Sequence, residues 1–154
     1  MRTFSAGMLA AALLSSAAAS AGGGVTVSRT LPGPIALSGQ TAIASPIFRP
    51  VPSAAHLKQC FVVVEGMTAA RPVGAQYEIS VVSTGMDALP NDAATAGTIS
   101  FYDAIGIPAA KTAPVSFEIP ARYCHHDAYL LLKPVGGFNP ASAPSIAAIS
   151  LVAR

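Results

Sequence analysis

Few residues of this 154-residue chain could do chemistry, and the densest group is Cys124-His125-His126-Asp127. Two imidazoles and a carboxylate suit copper or zinc, and a histidine near pH 7 is neutral enough to bind either metal. Spacing works against the group, because adjacent residues of a strand project from opposite faces. His125 and His126 can therefore share one ion only where the chain turns. His56 is the sole further histidine, so nothing in the spacing supplies a further ligand. The candidate metal set is His125, His126 and Asp127. The ordinary alternative is a pair of solvated histidines at the entrance to a strand.

Other catalytic patterns are missing. No Gly-x-Ser-x-Gly elbow occurs, and no glycine-rich phosphate loop precedes a helix. The carboxylates Glu65, Glu78, Asp87, Asp92, Asp103, Glu118 and Asp127 are scattered over expected loops and outward positions. The expectation is a protein that is not an enzyme and carries no cofactor. Aromatic side chains are the remaining binding resource. Tyr102, Tyr123, Tyr129 and Phe138 are candidates to stack on the apolar faces of sugars or to contact a partner, although the chain has no Trp.

The two cysteines, Cys60 and Cys124, acquire meaning from the amino terminus. Residues 1–21 read as a secretory signal: Arg2 is the charged start, Met8 to Leu14 the apolar stretch, and Ala19-Ser20-Ala21 the small-residue cleavage site. The mature protein then begins at Gly22 and is secreted or periplasmic, with no membrane span after signal removal. An oxidising compartment favours a structural disulfide, so Cys60 and Cys124 are expected to be joined. A bridge would also remove both thiols from nucleophilic or metal chemistry.

The formal charge is +2, and falls to +1 without Arg2. With no basic cluster, nucleic acid is not an expected partner. Charged residues make up 10% of the chain and hydrophobic ones 52%, which describes a weakly charged, rather apolar surface of the kind that packs on another protein.

The elements that must position these residues read as strands. Cys60-Phe-Val-Val-Val-Glu-Gly66 is an unbroken β-branched and aromatic run, expected to be buried on both faces at the centre of a sheet. Gln76 to Val82 alternates, with Tyr77, Ile79 and Val81 inward. Thr98 to Tyr102 turns Ile99 and Phe101 inward, after a long turn-rich connection over 89–97. Val115 to Ile119 alternates up to Pro120, followed by strands at 123–133 and 146–152. Residues 22–55 form a Pro- and Gly-rich lead with short edge strands, 56–154 the core, and 22–154 one domain. Short strands between Pro and Gly loops predict an all-β, two-sheet antiparallel β-sandwich. An immunoglobulin version lacks its Trp and has Arg122 where the corner Tyr belongs, leaving a jelly-roll or other Greek-key type with one disulfide.

In order along the chain, Val64-Glu-Gly-Met, Gln76-Tyr-Glu-Ile-Ser-Val, Ala96-Gly-Thr-Ile-Ser-Phe-Tyr102, Val115-Ser-Phe-Glu-Ile119, Tyr129-Leu-Leu-Leu-Lys-Pro134 and 146–152 resemble the carboxy-terminal β-sandwich of tyrosinases and polyphenol oxidases. The likeness covers residues 60–154. It implies a domain that packs over and shields a copper oxidase site. It does not imply the oxidase, whose copper pair takes six histidines from a helical bundle, whereas this chain has three histidines and no bundle. The function expected is thus an accessory or binding module that packs against another exported or cell-surface protein, with glycan binding or metal binding as alternatives.

Overall fold

The computed structural model describes residues 27–48, 56–84 and 93–154. The expected signal segment and cleavage site lie outside these residues, as do Asp87 and Asp92. Eight strands are described: β1 Val27–Ala36, β2 Ala42–Phe48, β3 Cys60–Thr68, β4 Gln76–Ser83, β5 Ala93–Ile99, β6 Val115–Ile119, β7 Ala128–Val135 and β8 Ser145–Ala153. They form two four-stranded sheets in the orders β1-β8-β3-β6 and β2-β7-β4-β5, and every ladder is antiparallel. The pairs β1·β8, β2·β7, β3·β6 and β4·β5 are nested, as if one long hairpin had been wound into two layers. That is the eight-stranded jelly roll.

Alternation explains the layering. Tyr77, Ile79 and Val81 of β4 and Leu130 and Leu132 of β7 are fully buried, and meet Val62, Val64, Ile149 and Leu151 from the other sheet. Each such side chain contributes about 1.5–3 kcal/mol when removed from water. Burial also pushes the Tyr77 phenol above its ordinary pKa. Its hydroxyl keeps a partner by donating to the Ser38 carbonyl at 2.8 Å. On one open side of the sandwich, between the edges β5 and β6, the Phe117 ring lies where a Cβ on Gly97 would come within 2.3 Å of it.

Several expectations are corrected by the pairing. The run at 60–66 lies inside a sheet but is buried on one face only. Cys60, Val62 and Val64 are buried, while Phe61 and Val63 are half-buried and Glu65 is exposed. Among the described residues no layer covers the outer face, so a continuous apolar run does not here mark burial on both sides. The lead carries β1 and β2, which are edge strands as expected, but β1 is ten residues long and pairs along β8. Its prolines Pro32 and Pro34 sit where the register shifts, and Pro46 of β2 lies within a second shift between Ala44 and Phe48. An edge tolerates such breaks because one side of its ladder needs no partner. The connection expected over 89–97 already contains β5 from Ala93, and that strand ends at Ile99 rather than Tyr102.

Residues 122–125 form a single helical turn, so the expected strand from Tyr123 begins only at Ala128. Pro120 offers no N–H to continue the β6 ladder. Its carbonyl instead accepts from Tyr123 N–H at 3.1 Å, and Ala121 accepts from Cys124 N–H at 3.0 Å. Since Ile119 is paired with Cys60, this turn folds Cys124 back onto the head of β3. The Cys60–Cys124 disulfide closes there, with 5.8 Å between the Cα atoms.

Gly66 allows a change of parity. Inward-facing residues pass from Val64 to Met67 in β3, and at the same level from Ile146 to Ile149 in β8. Gly66 has φ of +65°, and an added Cβ would lie 2.5 Å from the Ala147 Cβ. Gly66→Ala is expected to destabilise the fold by about 1–3 kcal/mol through left-handed strain and crowding, read as a lower denaturant midpoint.

Candidate functional site

The residues with chemical potential fall at opposite poles of the sandwich. One pole gathers the start of β3, the end of β6, the start of β7 and the end of β8, and it holds the disulfide. Cys60 is fully buried and Cys124 is 2% exposed, so neither sulfur is available as nucleophile or ligand. His125 is half-buried, with Nε2 3.1 Å from the Leu57 carbonyl oxygen, so its ring is tied to the chain entering β3. His126 follows in extended backbone and is exposed. Asp127 is half-buried, and its main-chain carbonyl accepts from Thr84 N–H at 2.8 Å. Among the described residues no three His, Cys, Asp or Glu side chains come together as a metal site. The structure therefore does not assemble His125, His126 and Asp127 into a centre for copper or zinc.

The four aromatic candidates also separate. Tyr123, expected at the surface, is fully buried, with the Arg122 guanidinium 4.9 Å from its ring centroid. The helical turn that delivers Cys124 to the bridge carries Tyr123 inward with it. Tyr129 is half-buried and paired with Val82 on β4. Phe138 is half-buried against the core and sits over Gly39. Tyr102 alone of the four is open, at 82% exposure.

Tyr102 belongs to the other pole, where the loops 69–75, 100–114 and 135–144 meet. The 100–114 connection is anchored at its base: Ala69 donates to the Ala104 carbonyl at 3.2 Å, and Gly106 donates back to Ala69 at 2.8 Å. Two single 3-10 turns, Tyr102–Ala104 and Ala109–Lys111, stiffen it. The loop 69–75 is tied to 139 in turn, since Asn139 donates from its main chain to Val73 and from its side chain to Pro72, at 2.8 and 2.9 Å. Held in this way, Tyr102 borders a groove of about 280 Å³ lined by Pro72, Gly74, Gln76, Ser100, Phe101 and Ile105.

Two further depressions adjoin the same connection. One, of about 270 Å³, is lined by Met67, Ser100, Asp103, Lys111 and Val115, and the other, of about 480 Å³, lies over Glu65, Gly66, Ala147 and Ala148. Ile107, 40% exposed, is five residues beyond Tyr102, and Val135, 52% exposed, is paired with the groove residue Gln76. All three exposed large hydrophobic side chains among the described residues thus belong to this pole. Sequence reasoning named Tyr102 but missed Ile107, Val135 and the groove walls. Phe101 was legible from its alternation with Ile99. The walls carry no local signal, because loops far apart in the chain create them.

No helix of the described residues is long and apolar enough to cross a membrane. No protein-family model matches the chain, and no curated protein matches it at a significant level.

Proposed function

We propose that this chain is an exported, non-catalytic β-sandwich module that packs against another exported or cell-surface protein through its loop pole. The observation that carries this reading is the convergence of Tyr102, Ile107 and Val135 on one rigidly anchored end of a weakly charged molecule. Exposed apolar side chains grouped in one place mark interaction surfaces, and aromatic anchors dominate their energetics. The buried disulfide supports export, since such bonds persist in oxidising compartments. The resemblance of residues 60–154 to the covering sandwich of tyrosinases supports an accessory role.

Affinity purification of the tagged protein from its native envelope is expected to yield one partner in stoichiometric amount. The Tyr102→Ser/Ile107→Ser double variant should lose it, because truncating a central aromatic anchor costs about 2 kcal/mol or more of binding. Recovery of an unaccompanied monomer in every preparation would overturn the reading. A second reading, glycan binding, is favoured by one observation: Tyr102 stands open beside a groove with Gln76 and Ser100 as polar groups. A glycan array separates the two, since signal abolished by Tyr102→Ala belongs to a sugar site and a silent array leaves protein docking.

A further inference from the structure

We propose that the hollow framed by Asp103 and Lys111 binds a small zwitterion of the α-amino acid class. It measures about 270 Å³, a size suited to a small ligand rather than a polymer. Its floor is apolar, made by Met67 at 8% exposure, Ala104 at 2% and the half-buried Val115. Asp103 stands on the turn Tyr102–Ala104 and Lys111 on the turn Ala109–Lys111, so each residue is carried by its own hydrogen-bonded backbone turn.

Both charged side chains line the same hollow, yet no ion pair joins them, and neither has a side-chain hydrogen bond. The whole chain has only nine basic and seven acidic residues, so two opposite charges lining one hollow are drawn from a sparse set. A molecule carrying the complementary pair would place its ammonium against Asp103 and its carboxylate against Lys111, each through a charge-assisted hydrogen bond. The Thr112 hydroxyl is already engaged, donating to Ala109 O at 2.9 Å. Ser100 Oγ accepts from Tyr102 N–H at 3.3 Å and keeps its own proton to donate to the ligand carboxylate. The aliphatic side chain of the ligand then lies over Met67 and Val115.

The hollow shares Ser100 with the groove beside Tyr102, but the apolar docking residues Tyr102, Ile107 and Val135 do not line it. The test is calorimetric titration of the purified protein with L-leucine, with 4-methylpentanoate, which lacks the amino group, and with 3-methylbutylamine, which lacks the carboxylate. Leucine is expected to give saturable heat, and each analogue to bind about tenfold more weakly, equivalent to about 1.4 kcal/mol for each missing charge. Asp103→Asn should weaken leucine to a similar degree while leaving 4-methylpentanoate unchanged. Lys111→Met should weaken leucine and spare the amine. Both positions are exposed, so these variants are expected to keep their thermal midpoints. The proposal is overturned if leucine gives no saturable heat, if leucine and its analogues bind equally, or if both variants bind leucine as the parent does.

Discussion

Replacing Cys60 and Cys124 together by alanine is expected to remove about 4 kcal/mol of stability. The estimate follows from the loop that the bridge closes, 64 residues in sequence separation, whose restriction lowers the entropy of the unfolded chain. A domain of this size holds a net stability of about 5–15 kcal/mol, so the loss is a large share of the whole. The position of the bridge matters as well. It ties the head of an inner strand, β3, to the turn between β6 and β7, and through them joins the sheets where β6 ends and β7 begins. Alanine is the appropriate replacement because Cys60 is fully buried and Cys124 nearly so, and a serine hydroxyl would be left in apolar surroundings. The measurement is urea unfolding of the oxidised protein, the reduced protein and the double variant. The last two should share a lowered midpoint, and a midpoint unchanged from the oxidised protein would refute the account. The loop pole lies at the other end of the sandwich, so partner binding should survive in whatever fraction of the variant remains folded.

Phe101→Ala is expected to cost about 3–5 kcal/mol, whereas Tyr102→Ala next to it should alter stability by no more than about 0.5 kcal/mol. Phe101 is 1% exposed and meets the buried Tyr77 ring edge to face, with centroids 5.9 Å apart. Truncation removes the ring that packs on Tyr77 beneath the groove that Tyr102 borders. Phe101→Leu, which keeps most of the volume, should cost less than about 1.5 kcal/mol. Denaturant midpoints of the three variants test the contrast. If Phe101→Ala and Tyr102→Ala behave alike, the assignment of one side chain to the core and its neighbour to the surface is wrong. The same pair separates stability from function, because only the Tyr102 substitution should weaken partner capture without touching the fold.

Much of this architecture could be read from residue type. Tyr77, Ile79 and Val81 alternate with polar or smaller outward residues, a pattern that specifies one buried face whatever the sheet order. Val115 to Ile119 ends at Pro120 because proline cannot continue a ladder. β5 was harder. Ala93-Ala-Thr-Ala-Gly97 has Thr95 as its one β-branched residue among Ala and Gly, a weak strand signal, and it is held as one by the β4 ladder. The burial of Tyr123 was equally hidden, since four residues of helix between β6 and β7 are too short to leave a periodic signature.

Local composition by itself determined the two-layered β class, the candidate disulfide and the low charge of the chain. Each of these depends on side-chain chemistry and on the period-two geometry that every strand shares. Only the tertiary structure decided the nesting of the strands, the separation of the histidine pole from the loop pole, and which aromatic stays open. These are set by contacts between segments such as 69–75 and 100–107, and no local stretch encodes which distant segment it will meet. Tyr102 and Tyr123 are chemically identical, and their opposite fates follow from the anchored connection that carries one outward and the disulfide-bearing turn that draws the other in.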